Sequence, residues 1–376
     1  MSKVKFAIIG CGRIAYRHIE AIKANKDAEL AALCDLNIDR ANERNKEAHV
    51  QVYQDYNEML QKEEVDIVNI MTPSGMHVEH ALDIINKYKK HVVVEKPMCL
   101  NIRDGAKLIE TTKDKNVQLF VVHQNRFNKA IQKIKSAIES KQVGRIALAT
   151  VRLRWSRGQN YYDRDPWRGI WALDGGVLTN QAIHHIDILR WLIGDVDSVS
   201  AIGATQFVDI EVEDTACVWL KFKNGTLGII EATNTVRPKD KDLEASVSIL
   251  AEKGAMVVEG TSINKLTTWT CEEIDITEFS EEHPNVYGFG HNHIINNVVD
   301  VLQNNHKPLV RAEDALESIK LLSAIYKSIE DGGKEVFLKD NPVSAKLGIM
   351  DEKSSKIADL YRTDVILKKK DYCEKK

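Results

Sequence analysis

The chain has 376 residues, 43% of them apolar and 28% charged, and carries a formal net charge of −3. That length is about two to three times a usual domain, and the apolar share is enough to bury more than one core. Disulfide-stapled modules and wholesale disorder are excluded, and the near-neutral balance gives no electrostatic reason to expect a nucleic acid or a membrane surface, which leaves small molecules as the default ligands.

From residue 4 to about 122, short apolar runs at 4–9, 30–34, 67–71, 91–95 and 119–122 alternate with amphipathic segments of helix length. This order predicts an α/β unit with a doubly wound parallel sheet. Beyond residue 123 the order changes to a helix near 128–140, a strand at 147–155, a polar aromatic loop at 156–174 and a helix at 179–193. Alternating β-rich runs follow at 198–206, 216–222, 227–233, 245–250, 255–259 and 263–270, with Asn224-Gly225 as a hairpin turn. They predict an α+β domain with an open, largely antiparallel sheet, closed by helices near 293–303 and 311–329 and a last strand at 335–338. The tail from residue 339 holds a short helix at 354–361 and a Lys-rich end expected to be solvated.

The six cysteines, Cys11, Cys34, Cys99, Cys217, Cys271 and Cys373, show neither a C-x-x-C pair nor a metal-ligand spacing, so they read as reduced thiols and no metal is expected. The apolar run at 6–9 passes directly into Gly10-Cys11-Gly12 without a cleavage-site pattern, and no stretch approaches the roughly 20 apolar residues of a membrane span. A cytoplasmic protein is expected.

Gly10-Cys11-Gly12-Arg13-Ile14-Ala15 fits G-x-G-x-x-A directly after a strand and at the opening of a helix. The first glycine permits the tight turn, the second lets a pyrophosphate approach the backbone, and helix-terminal N–H groups receive its charge. Asp35 ends the second apolar run 20 residues after Ala15, where a carboxylate accepts from ribose hydroxyls. This favours NAD over NADP. Thr72-Pro73-Ser74 and Glu95-Lys96-Pro97 follow two further runs, at carboxyl ends of parallel strands, where doubly wound sheets bind their ligands.

These motifs, with His77, Asn125-Arg126-Phe127, Gly175-Gly176 and Asn180-x-x-x-His184 before Asp187, resemble the glucose-fructose oxidoreductase/inositol dehydrogenase (Gfo/Idh/MocA) family over residues 4–338. The resemblance implies domains at 1–122 for NAD, 123–338 for substrate and oligomerisation, and an extension at 339–376. It implies a catalytic Lys96 with a frequently cis bond before Pro97, and cofactor contacts from Gly10, Gly12, Arg13, Ile14, Asp35, Thr72, Pro73, Ser74, His77, Glu95, Lys96, Gln124, Trp167 and Arg168. A closer resemblance is to the UDP-N-acetylglucosaminuronate 3-dehydrogenases of bacterial O-antigen (lipopolysaccharide) sugar pathways. It is carried by Tyr161-Tyr162-Asp163, Pro166-Trp167-Arg168-Gly169, Trp171 to Gly176 and Val286-Tyr287-Gly288-Phe289-Gly290-His291. It implies substrate contacts from Arg13, Lys96, Asn125, Arg126, Arg157, Tyr161, Tyr162, Arg168, Asn180, His184 and Tyr287, and a homodimer or homotetramer. Asn180 departs from the broader family, where many members have Asp, and an Asn takes up no proton.

Oxidising a sugar alcohol requires a hydride acceptor and a base at hydrogen-bond distance from the hydroxyl. An exposed lysine, with a pKa of about 10.4, is a poor base, but burial beside a cationic nicotinamide lowers that value. Asn180 and His184 are four apart, so one helix places them on one face, whereas His185 points about 100° away. His184 is therefore expected to reach the same hydroxyl as Lys96. Arg152, Arg154, Arg157, Arg164 and Arg168 interleave with Trp155, Tyr161, Tyr162, Trp167 and Trp171, a mixture suited to phosphate, carboxylate and a stacked uracil. Two readings stand beside the nucleotide-sugar dehydrogenase: a dehydrogenase of inositol or another free sugar, and a non-catalytic NAD- and sugar-binding regulator.

Overall fold

A computed structural model describes residues 2–237, 242–282 and 288–363. They form two compact units, one of residues 2–122, 291–316 and 350–363, the other of 123–290 and 317–349. The Lys-rich end, Cys373 and Tyr287 lie outside the described residues.

In the first unit six strands run parallel in the order β3-β2-β1-β4-β5-β6. They are β1 Val4–Ile9, β2 Ala28–Cys34, β3 Gln51–Tyr53, β4 Ile67–Ile70, β5 His91–Val94 and β6 Leu119–Val121. Helices on both faces explain why the inner strands read as unbroken apolar runs: all of β4 and β6 is buried. The predicted doubly wound sheet is therefore present, with one strand added. β3 has three residues at the sheet edge, two half-buried and one exposed, too short to show a period. Asn37 and Asn101 cap the helices Ile38–Ala48 and Ile102–Asp114, their side chains accepting from first-turn N–H groups.

The second unit holds an eight-stranded sheet in the order β13-β12-β11-β7-β10-β9-β8-β14. Its strands are β7 Ile146–Arg154, β8 Val196–Ala204, β9 Thr215–Phe222, β10 Leu227–Thr233, β11 Glu244–Ala251, β12 Gly254–Glu259, β13 Lys265–Trp269 and β14 Val336–Phe337. β7 and β10 pair parallel and the other neighbours pair antiparallel, so the sheet is largely antiparallel as expected. Alternation sorts its faces: in β9, Ala216, Val218, Leu220 and Phe222 are buried while Cys217, Trp219 and Lys221 are exposed. The inner face packs on the helix Ile183–Ile193.

The structure departs from the sequence pattern at two places. Residues 179–193 do not form one helix: a short turn, Val177–Asn180, ends at Gln181, and the helix proper begins at Ile183. The Ala182 N–H reaches back five residues to the Val177 carbonyl, a widened turn that breaks the phase between Asn180 and His184. Arg152 and Arg154 do not join the aromatic loop. They stand on the outer face of β7, where Arg154 forks onto Glu231 at 2.6 and 2.9 Å and both lie within 4 Å of Glu244.

Candidate active site

In the first unit, β1 ends at Ile9 and the chain turns at Gly10, whose φ of +93° and whose approach to Met71, 2.6 Å from where a Cβ would stand, admit only glycine. Gly12 is different. A Cβ there meets nothing within 4 Å, so its backbone faces open space. The helix Ala15–Ala24 follows with no side-chain cap, leaving its first amides available. Asp35 sits at the end of β2 with Oδ2 accepting from the Cys11 N–H at 2.7 Å and Oδ1 from Asn37 N–H at 2.8 Å, which fixes its carboxylate beside the turn. The open glycine, the uncapped helix start and the oriented acid fit a dinucleotide's pyrophosphate and ribose.

Lys96 is half-buried, and its bond to Pro97 is cis. Its N–H donates to Glu95 Oε2 at 3.1 Å, and Glu95 Oε1 lies 2.9 Å from His18 Nε2 and 3.5 Å from His291 Nε2. Burial alone would raise the Glu95 carboxyl, yet hydrogen bonds from His18 and His291 hold it well below its usual range. His18 is itself lowered by burial and reads as neutral. Its Nδ1 takes a hydrogen bond from Asn69 Nδ2 at 3.0 Å, so its one ring proton is at Nε2, on Glu95. Among the described residues this is the one group of His, Cys, Asp and Glu with ligand atoms all within 4.8 Å of one another, and His18 spends both its ring nitrogens on Glu95 and Asn69. Glu95 is legible in its motif, but its partners His18, one turn beyond Ala15, and His291 are not.

His77 is 1% exposed, with Nδ1 2.8 Å from the Pro97 carbonyl and Nε2 2.9 Å from the Thr72 carbonyl. Burial lowers its pKa, and a neutral ring carries one proton for the two carbonyls. His77 thus ties the Thr72 and Pro97 loops together. Thr72 and Lys96 are half-buried, Pro73 and Ser74 are buried, and Arg13 is exposed.

In the second unit the structure gathers Arg157, Tyr161, Tyr162, Arg168 and Asn180. Arg168 donates to the Tyr161 hydroxyl at 2.7 Å and to Asp165 at 3.2 Å, and its guanidinium lies 4.5 Å from the ring centres of Tyr161 and Trp167. Arg157 bonds Asp242 at 2.8 Å and lies over Trp155. Asn180 Nδ2 donates to Asp174, and its Oδ1 accepts from Gln181, which in turn takes a bond from Asn234 at 2.9 Å. Asn234 also donates to the Tyr162 hydroxyl at 3.2 Å. Gln181, Asn234 and Asp242 were missed because single polar residues at element ends show no period. Trp171 stands apart from this cluster, edge-on to Tyr326.

His184 is half-buried, 3.5 Å from Gln124 Nε2 and edge-on to His123. His185, by contrast, is 1% exposed against Trp155, and burial pushes its pKa down to about 4. Asp187 receives a bidentate guanidinium from Arg126, at 2.7 Å on each oxygen, and the Ser318 hydroxyl at 2.8 Å. Burial would raise this carboxyl, but His123 and Arg126 hold it well below its usual range. Arg126 has no exposed surface and acts as a buried strut to Asp187. Asn125 and Gln124 beside it are buried as well.

Residues 4–123 match the GFO_IDH_MocA model, "Oxidoreductase family, NAD-binding Rossmann fold", and residues 131–257 match the GFO/IDH/MocA C-terminal domain. The WlbA dehydrogenase of Bordetella pertussis, solved with NADH and UDP-GlcNAcA, is 38% identical with a TM-score of 0.84, over 89% of this chain and 98% of that one. The WlbA dehydrogenase of Chromobacterium violaceum, solved with the same two ligands, is 37% identical with a TM-score of 0.82, over 90% and 96%. The myo-inositol 2-dehydrogenase of Thermotoga maritima is 29% identical over 87% of this chain and 97% of its own length.

Proposed function

The chain belongs to the GFO/IDH/MocA family and is an NAD-dependent sugar dehydrogenase, and from this we propose that it oxidises the 3-hydroxyl of UDP-N-acetylglucosaminuronate to a 3-keto nucleotide sugar, for a bacterial surface polysaccharide. The observation that supports this reading most is the likeness, at 38% identity over 89% of the chain, to a dehydrogenase solved with NADH and UDP-GlcNAcA. The cluster of Arg157, Tyr161, Tyr162 and Arg168 agrees with it, since guanidinium forks suit a carboxylate or diphosphate and flat rings suit uracil.

NAD, when bound, supplies the acceptor for hydride. In this reading Gly12 and the uncapped helix start receive its pyrophosphate, Asp35 its ribose hydroxyls, and Ile14, Thr72, Pro73 and Ser74 line its path, and Gln124, Trp167 and Arg168 are further cofactor contacts. Lys96 Nζ takes the hydroxyl proton, and Glu95 holds the Lys96 backbone through its N–H. His184 donates to or accepts from the same sugar hydroxyl. Asn180 shapes the sugar site through Asp174 and Gln181 and relays no proton. Arg13, Asn125 and Tyr287 complete the substrate contacts.

The likeness to the Thermotoga myo-inositol 2-dehydrogenase favours a second reading, a free polyol as substrate. The test of the base is common to both. Lys96→Met is expected to lower turnover at least about a hundredfold while NAD affinity holds, and near-parental turnover would remove Lys96 from the role.

A further inference from the structure

The last described stretch of the chain lies beyond β14. Its residues 350–363 pack within the first unit. The helix Glu352–Ala358 opens with a reciprocal cap, Asp351 Oδ1 accepting from Ser354 N–H at 2.7 Å and Ser354 Oγ from Asp351 N–H at 2.8 Å. Ser354 and Ala358 are buried beneath it. The turn Asp359–Tyr361 then delivers Arg362 to Glu79, with Nε and Nη2 on the two carboxylate oxygens at 2.8 Å each, while Nη1 bonds Asp359 at 2.7 Å.

Glu79 adjoins His80 on the helix His77–Tyr88, which starts just past Thr72-Pro73-Ser74. His80 is 3% exposed, with Nδ1 2.9 Å from the Thr72 hydroxyl and a hydrogen bond to the backbone of Tyr361. That bond favours a protonated nitrogen, so it runs from the ring to the Tyr361 carbonyl. Burial pushes the ring's pKa down to about 4, so at neutral pH it carries one proton. With Nδ1 facing Thr72, that proton is on Nε2 and belongs to Tyr361. Nδ1 is then a bare acceptor, and the Thr72 hydroxyl must donate to it.

We propose that the C-terminal strap 350–363 is a positioning device for the dinucleotide: by claiming the single ring proton of His80, it commits the Thr72 hydroxyl proton inward and leaves its lone pairs to accept from a donor group of the bound cofactor, a ribose hydroxyl or the carboxamide. The proposal rests on the reading that Thr72 touches the cofactor. Without the strap the ring is free to hold its proton on Nδ1, which makes Thr72 Oγ an acceptor from the ring and turns its own proton toward the cofactor side.

The test uses the full chain, labelled with ¹⁵N-histidine, and titration with NAD. The parent is expected to show His80 as the Nε2–H tautomer. Arg362→Glu, which repels Glu79 and loosens the strap, is expected to mix the tautomers and raise the NAD Kd roughly threefold to tenfold, the loss of one ordinary hydrogen bond. The exchanged pair Glu79→Arg with Arg362→Glu restores both readouts. Thr72→Val weakens NAD to a similar degree, and Arg362→Glu added to it costs nothing more. An Nδ1–H tautomer in the parent, or an unchanged Kd in Arg362→Glu where Thr72→Val is weakened, overturns the strap's role alone. Unchanged NAD affinity in Thr72→Val overturns the contact of Thr72 and the proposal with it.

Discussion

Burying a guanidinium costs several kcal/mol in desolvation, and Arg126 is tolerated without exposed surface because Asp187 meets both its Nε and Nη2. Arg126→Met strands the Asp187 carboxylate beside Ser318, and urea titration should show a loss of about 3–5 kcal/mol. A loss under about 1 kcal/mol would mean that water or another cation replaces the pair. Glu213 shows the opposite electrostatics. Burial raises its pKa from 4.5 to about 7, against bonds from the Leu178 N–H and the Tyr326 hydroxyl. Across that interval the native carboxyl binds more protons than the unfolded one, so stability falls as pH rises, by ~3 kcal/mol in all. Glu213→Gln should flatten the stability profile between pH 5 and pH 7, and an equally steep profile in the variant would assign the slope to another group.

At the scale of elements, the turn between β1 and its helix separates folding from binding. Ala at Gly10 collides with the Met71 carbonyl and takes an unfavourable φ, so Gly10→Ala should lower both thermal stability and NAD affinity. Ala at Gly12 meets no protein atom within 4 Å, so Gly12→Ala should keep the melting temperature and lose NAD affinity by tenfold or more. Equal melting losses in the two variants would contradict this division. The same turn explains what was legible. Long apolar runs, alternation in β9 and the glycine turn are local signals, and the sheets they predict are present. The widened turn at Ala182 was not legible, because a single five-residue hydrogen bond leaves no trace in composition. Nor was the partner of Arg126, since an arginine's surroundings depend on residues 61 positions away. Arg152 and Arg154 were grouped with the loop by proximity along the chain, whereas the pleat of β7 turns them to its outer face.

Across the whole molecule, the outer face of the second sheet carries Trp219, 66% exposed, with Ile202, 70%, and Leu227, 55%. Neighbouring register puts all three on one side, since Ile202 pairs with Cys217 and Lys221 with Leu227. We propose that a second copy of the chain covers this face, as expected of a homodimer or homotetramer. Trp219→Lys should then shift sedimentation toward the monomer with the melting transition of the fold retained, and an unchanged assembly would place the interface elsewhere. The substrate proposed above rests most on the likeness to two dehydrogenases solved with UDP-GlcNAcA. The most direct measurement is the absorbance of reduced nicotinamide as the purified protein with NAD is titrated with UDP-N-acetylglucosaminuronate, free glucuronate and myo-inositol in parallel. Reduction by the UDP sugar alone is the predicted result, and turnover of a free polyol with none of the UDP sugar would contradict it.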